Sequence, residues 1–259
     1  MRLVIGIFLL SGWLFGGASL SHASEPITLV SYYLEPPYEL GNGKGLTHEL
    51  AAYLNQRADG RLHFEAKALP RKRLDRQIEK GESLIIPWAN PDWFPKLTGG
   101  DHRWSSPYIQ GASMVIANAS DKREFRSPES LKGCILTGVV GFYYPGLDEL
   151  VAKNEIERRD FLTYGEVFRI ISARPGNCTM ASTITTKYLI RAMALERKVR
   201  ILDDDFDTFS RRFLLVNQPS HVQDFLNETA EVMAQDGEWL KVLNRYGLRD
   251  LADQKLAKN

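Results

Sequence analysis

Apolar positions along this chain keep changing period, and the changes mark out alternating strands and helices. Ile27 to Tyr33 reads as a strand, closed by Pro36-Pro37. Gly41 to Gly45 forms a turn, and Thr47 is placed to cap a helix carrying Leu50, Ala51 and Leu54 at helical spacing. A second strand is predicted over Leu62 to Ala66, a helix over Arg71 to Lys80 with Leu74 and Ile78 on one face, and a short buried strand at Leu84-Ile85-Ile86. A similar run starts near residue 130. It has a strand from Cys134 to Gly138, a helix with Leu147, Leu150 and Val151, a strand at Phe161 to Tyr164, a helix from Glu166, and a strand from Cys178 to Ser182. Two more helices are predicted over Pro219 to Gln235 and Gly237 to Tyr246. Alternation of this kind belongs to α/β architecture, and the repeated strand–helix–strand–helix–strand order predicts two similar lobes.

The first residues change the picture of where the protein works. Arg2 precedes an apolar run from Leu3 to Phe15, and Ser21-His22-Ala23 offers the small-x-small pattern that signal peptidase reads. That run falls short of the ~20 residues that cross a bilayer. The expectation is therefore a signal peptide cleaved after Ala23 and a periplasmic mature protein. Removing residues 1–23 takes away one basic residue and no acidic one, leaving 32 of each sign. A charge of zero argues against nucleic-acid partners, which need clustered positive charge. Cys134 and Cys178 are the only cysteines, and in an oxidising compartment an isolated pair is expected to form a disulfide. The histidines are scattered without ligand spacing, so neither a metal nor another cofactor is expected.

In this order the motifs resemble those of the family 3 periplasmic solute-binding proteins. Pro36-Pro37-Tyr38 follows strand one, and Gly45-Leu46-Thr47-His48-Glu49-Leu50-Ala51 stands where the family has its first helix start. Leu69-Pro70-Arg71-Lys72-Arg73-Leu74 is similar to the P-x-x-R-x-L helix, Trp104-Ser105-Ser106-Pro107-Tyr108 to F-S-x-P-Y, and Gly237 through Tyr246-Gly247 to the closing motif. Leu131-Lys132-Gly133 matches the opening of the second lobe. The resemblance implies the type 2 periplasmic binding protein fold: two α/β lobes joined by two crossing hinge strands, with ligand in the cleft. Lobe one would hold residues 24–111 and 212–259, and lobe two residues 112–211. Cys134 and Cys178 would then lie at the ends of strands away from the ligand.

Open α/β sheets bind ligands at the carboxyl ends of their strands, which points to residues 31–38, 87–96, 139–144 and 182–186. The first segment offers Tyr32, Tyr33, Glu35 and Tyr38, of which Tyr38 is expected to pack in the core and Glu35 falls near the place of a covering aromatic in the family. Trp88, Asn90 and Trp93 stand where amino-acid binders carry hydroxyls and an arginine that grips the α-carboxylate. Arg73 matches the arginine of P-x-x-R. In lobe two, Val139, Phe142 and Tyr143 replace a glycine–threonine loop before a helix, whose backbone N–H groups would form an anion site. Thr183 stands near the place of the acid that holds the ligand's ammonium. With both charged grips altered, an aromatic-lined pocket for a small polar solute other than a standard amino acid is expected. The Asp203-Asp204-Asp205 run with Asp207 reads as a solvated turn.

These observations lead to a monomeric, non-enzymatic binding protein that presents its solute to an ABC permease or a membrane sensor domain. Two alternatives share the fold. One is a periplasmic lyase of the cyclohexadienyl dehydratase type with Glu35 as its acid; the other is a lobe pair that signals without binding a solute.

Overall fold

The structure is a computed structural model describing residues 25–97 and 102–252. The expected signal peptide and its cleavage site lie outside the described residues.

Among the described residues, nine strands form one continuous hydrogen-bonded array in the order β2-β1-β3-β9-β5-β8-β6-β7, with β4 on the other side of β9. In lobe one, β1 (Ile27–Ser31) pairs in parallel with β2 (Phe64–Ala68) and β3 (Leu84–Ala89). The end of β9 (Val199–Val216) runs antiparallel between β3 and β4 (His102–Trp104). In lobe two, β8 (Asn177–Ser182) pairs antiparallel with β5 (Ile109–Asn118), and β6 (Ile135–Val139) pairs in parallel with β8 and with β7 (Glu157–Phe161). Strands β5 and β9 pair with each other over most of their length and carry the chain between the lobes.

Parallel strands covered on both faces read as unbroken apolar runs, because successive side chains point to opposite sides. Leu29 and Ile85 enter one core of lobe one, packed by α1 (Leu46–Ala58), α6 (Ser220–Met233) and α7 (Gly237–Arg245). Their neighbours Val30 and Ile86 enter a second core on the other face, under α2 (Arg71–Glu79). Lobe two repeats the scheme. Met114 and Ile116 face α4 (Tyr164–Ala173), whereas Val115 and Ala117 face α3 (Leu147–Ala152). Helix α5 (Thr183–Ala192) joins the lobes: Ile184 lies in the lobe-one core and Leu189 in that of lobe two.

Three local expectations change. Thr47 does not cap α1; Gly45 precedes the helix, and the Thr47 hydroxyl instead accepts the Trp88 indole N–H at 3.0 Å. Strand β7 covers Glu157-Arg158-Arg159-Asp160-Phe161, earlier than predicted. Its charged residues pair along the sheet edge, Arg158 with Asp160 and Arg159 with Glu157, and Arg158 also reaches Asp148 on α3; charges of this kind protect an edge from pairing with another chain. The acidic run is no turn. Asp203 and Asp207 lie within β9, bonded to β5 through two register shifts that begin at Ser113 and Val115.

Cys134 and Cys178 form a disulfide closing a separation of 44 residues. It ties the start of β6 to β8 on the α3 face, at the opposite end of β6 from the loop that follows Val139. Among the described residues no helix is long and apolar enough to cross a membrane.

Candidate functional site

A cavity of about 560 Å³ opens between the lobes at the carboxyl ends of β1 and β6, within the usual range for small-molecule sites. Tyr32 and Tyr33 line the lobe-one side together with Trp93 and Arg71. The loop from Val140 to Pro145, Tyr164 and Thr185 line the lobe-two side. Between them the crossing strands supply Ser113, Asp207, Phe209 and Arg211.

The floor of the site follows from strand geometry. Residues two apart on a strand share a face, so Asp207, Phe209 and Arg211 point together into the cleft. Opposite Phe209 on β5 is Gly111, where a Cβ would come within 2.7 Å of the Phe209 ring. A side chain there would push the ring away. Ser113, opposite Asp207, approaches its carboxylate at 3.5 Å. Burial raises the pKa of Asp207, opposed by Ser113 and reinforced by the nearby charge of Asp92.

Arg211 is 1 % exposed. Its Nη1 donates to Tyr33 Oη at 2.9 Å and to the Trp88 carbonyl at 2.8 Å. The guanidinium lies 5.1 Å from the Tyr33 ring centre, 5.2 Å from that of Trp93 and 5.1 Å from that of Phe209, distances at which ring faces attract a cation. Burial opposes its charge, but the oxygens of Tyr33, Tyr38 and Tyr32 outweigh that effect and keep it protonated. Its Nε is buried without a hydrogen-bond partner, and no ion pair among the described residues includes it. Tyr33 is held in turn by stacking on Tyr38 at 4.3 Å and Tyr32 at 4.5 Å.

The sequence-predicted residues separate into groups. Tyr32, Trp93, Phe142 and Tyr143 line the cavity. Trp88 does not: it is fully enclosed in the lobe-one core, because its indole N–H finds a partner in Thr47. Asn90 is buried as a brace, donating to the Ser210 carbonyl at 2.9 Å and accepting from the Asp92 N–H at 2.9 Å. Thr183 is buried against β5, its hydroxyl bonded to both the N–H and the carbonyl of Ala112. Val139 packs in the lobe-two core. Arg73 points to solvent from α2, while Arg71, two residues earlier, reaches the cavity. Arg71 is already engaged, by Asp75 at 2.8 Å and the Trp93 carbonyl at 3.0 Å.

In the loop before α3, where an anion site was expected, four backbone donors already have partners. The Val139 N–H donates to Tyr144 Oη, that of Val140 to the Phe161 carbonyl, that of Phe142 to the Val139 carbonyl, and that of Tyr144 to Asp148. Those donors are spent on the loop itself and on its neighbours β7 and α3.

Glu35 sits beside the cavity and spans the lobes. Its Oε2 accepts the backbone N–H of Tyr164, the first residue of α4, at 2.8 Å. Thr163 and Glu166 already form a capping box on the same helix end, so a lobe-one carboxylate completes a lobe-two helix. Burial pushes the Glu35 carboxyl up to about 7, against the downward pull of the Tyr164 N–H.

Sequence reasoning missed Ser113, Asp207, Phe209 and Arg211. The alternation Asp207-Thr208-Phe209-Ser210-Arg211 was the available signal.

No protein-family model and no curated protein sequence matches the chain. Solved structures do. A Streptococcus pneumoniae ABC uptake transporter substrate-binding protein with bound histidine aligns at TM-score 0.66 and 13% identity, covering 88% of this chain and 95% of that one. An ancestral arginine-binding protein bound to arginine aligns at TM-score 0.65 and 15% identity, covering 87% and 99%. The periplasmic domain of B. pertussis BvgS aligns at TM-score 0.64 and 18% identity over 86% of this chain, which spans only 43% of that domain. The fold of this chain is that of the two-lobed, type 2 periplasmic solute-binding proteins.

Proposed function

We propose that this chain is an exported periplasmic binding protein whose lobes close on a small polar solute, and that a permease or a membrane sensor reads the closed form. The observation that carries this reading is the cavity itself. Its walls come from both lobes and its floor from the two crossing strands, so a bound molecule touches every part that hinge motion would rearrange. The neighbours with bound arginine and histidine add support, because both are binding proteins of this shape.

The lyase alternative has Glu35 in its favour, with a carboxyl raised to about 7 in the range of a general acid. Its carboxylate is committed to the Tyr164 N–H rather than to the cavity, which favours binding over catalysis.

The test is small-angle scattering and thermal unfolding of the purified protein across amino acids, organic acids, amines and sugars. A ligand at 100 times its Kd should stabilise by about 2.7 kcal/mol and contract the particle. A well-folded protein that responds to none of these classes would leave the signalling-partner alternative standing.

A further inference from the structure

We infer that the cleft takes a small ring-bearing monocarboxylate, its carboxylate on the Nε–Nη2 edge of Arg211 and its ring between the aromatic walls of the two lobes. This deepens the binding reading above and rests on it.

The guanidinium decides the charged end. Nη1 uses its two hydrogens on Tyr33 Oη and the Trp88 carbonyl. The adjoining edge, bearing Nε, is buried without a protein acceptor. A planar guanidinium presents that edge as a two-point fork fitting a carboxylate better than any single-point anion. A buried cation lacking a counter-charge is destabilising, and a hydrogen-bonded anion removes that cost. Ring faces compensate it only in part.

The walls decide the body. Tyr33, Trp93 and Phe209 cover Arg211 and are each partly exposed, so a ligand reaches the cation by turning one ring aside. Across the cleft, Phe142 is 39 % and Tyr143 64 % exposed, large rings left open at a cavity mouth. A flat apolar body between these faces buries both.

The far end of the floor decides the charge count. Asp207 shares the cleft face of β9 with Arg211, and Asp92 lies close enough to act on it. A second negative group on the ligand would meet these carboxylates, so dianions are disfavoured.

The experiment is calorimetric titration of the purified protein with benzoate, 3-phenylpropionate and indole-3-acetate, each beside its amide, together with succinate and benzylamine. A ring monocarboxylate should bind, with its amide weaker on the order of 100-fold, and Arg211→Met should abolish the difference. An amide equal to its acid, or preference for succinate or benzylamine, overturns the inference while leaving the binding reading intact. Silence from every compound here and in the wider panel overturns both. The acid–amide comparison needs no variant. Should Arg211→Met fail to fold, Tyr143→Ala, at an exposed position, should weaken the acids severalfold, and unchanged affinity would remove the aromatic clasp.

Discussion

The two lobes bring different things to the cleft. Lobe one offers a preassembled surface: Tyr32, Tyr33 and Tyr38 stack in series, Trp88 is pinned behind them, and Arg211 is held by the Tyr33 hydroxyl and the Trp88 carbonyl. Lobe two offers a loop of exposed rings, Phe142 and Tyr143, on a strand end whose opposite end is stapled by the disulfide. One side holds its groups in place by packing. The other leaves the faces of its rings partly exposed, tethered only at their edges by Tyr164 and the Glu149 carboxylate, and is braced by a covalent bond at a distance. Under the binding reading proposed above, such a difference would suit a division into an anchoring lobe and a covering lobe, since preorganisation lowers the cost of the first contact while a cover has to move.

The largest expected effects test that division directly. Trp88→Ala should cost about 3–5 kcal/mol, as for other buried aromatics, with loss of hydrogen-exchange protection concentrated in lobe one. Replacing both cysteines by serine removes a cross-link worth about 4 kcal/mol for a loop of this length in the chain-entropy model, with protection lost in lobe two. Losses spread evenly over both lobes in either variant would mean that the halves unfold as one unit.

Glu35 sharpens the comparison at intermediate size. Its carboxyl is raised to about 7 by burial in the contact with α4, from an ordinary value of 4.5. Separation of the lobes returns it to water and to the lower value. The closed contact therefore binds a proton more tightly than the open one. Its advantage is complete below about 4.5 and is lost as pH rises through about 7. Tyr38 and Tyr164 nearby are pushed upward by burial and stay neutral throughout this window. An interlobe distance measured by paired spin labels should show closure weakening between pH 5 and 8, by on the order of tenfold for a half-buried group. Glu35→Gln should flatten the profile, and a profile unchanged by that substitution would assign the proton elsewhere. The smallest effect belongs to Arg73→Ala. From its solvent-facing position it should alter stability by less than about 0.5 kcal/mol and leave solute affinity unchanged, read by the same titrations.

Most elements were legible because the cores are two-sided. Leu29-Val30 and Ile85-Ile86 serve opposite faces of one sheet, so even short apolar runs could only be buried strands. Strand β7 was hidden because it lies at an edge, where Arg158 and Asp160 are favourable and alternation is blurred. The site was less legible than the fold. The resemblance drew attention to Trp88 and Arg73, but which aromatic goes inside and which of two nearby arginines reaches the cleft depends on helix rotation and on a partner such as Thr47. Arg211 escaped notice because acidic Asp203 and Asp207 suggested a turn, whereas they lie within β9, which bulges between them and stays bonded to β5 on either side.

That long, bulged strand has a mechanical consequence. Eighteen residues of β9 extend from the outer end of lobe two into the lobe-one sheet between β3 and β4. Arg211 sits on it within the stretch bonded to β5, and the first register shift begins beside Asp207, four residues away. A shaft seated firmly at one end and loosened partway along twists at the loosened place. A solute held at Arg211, as inferred above, would sit next to the place where the strand twists most easily, and a small rotation there would become a wide swing at the remote rim of the second lobe.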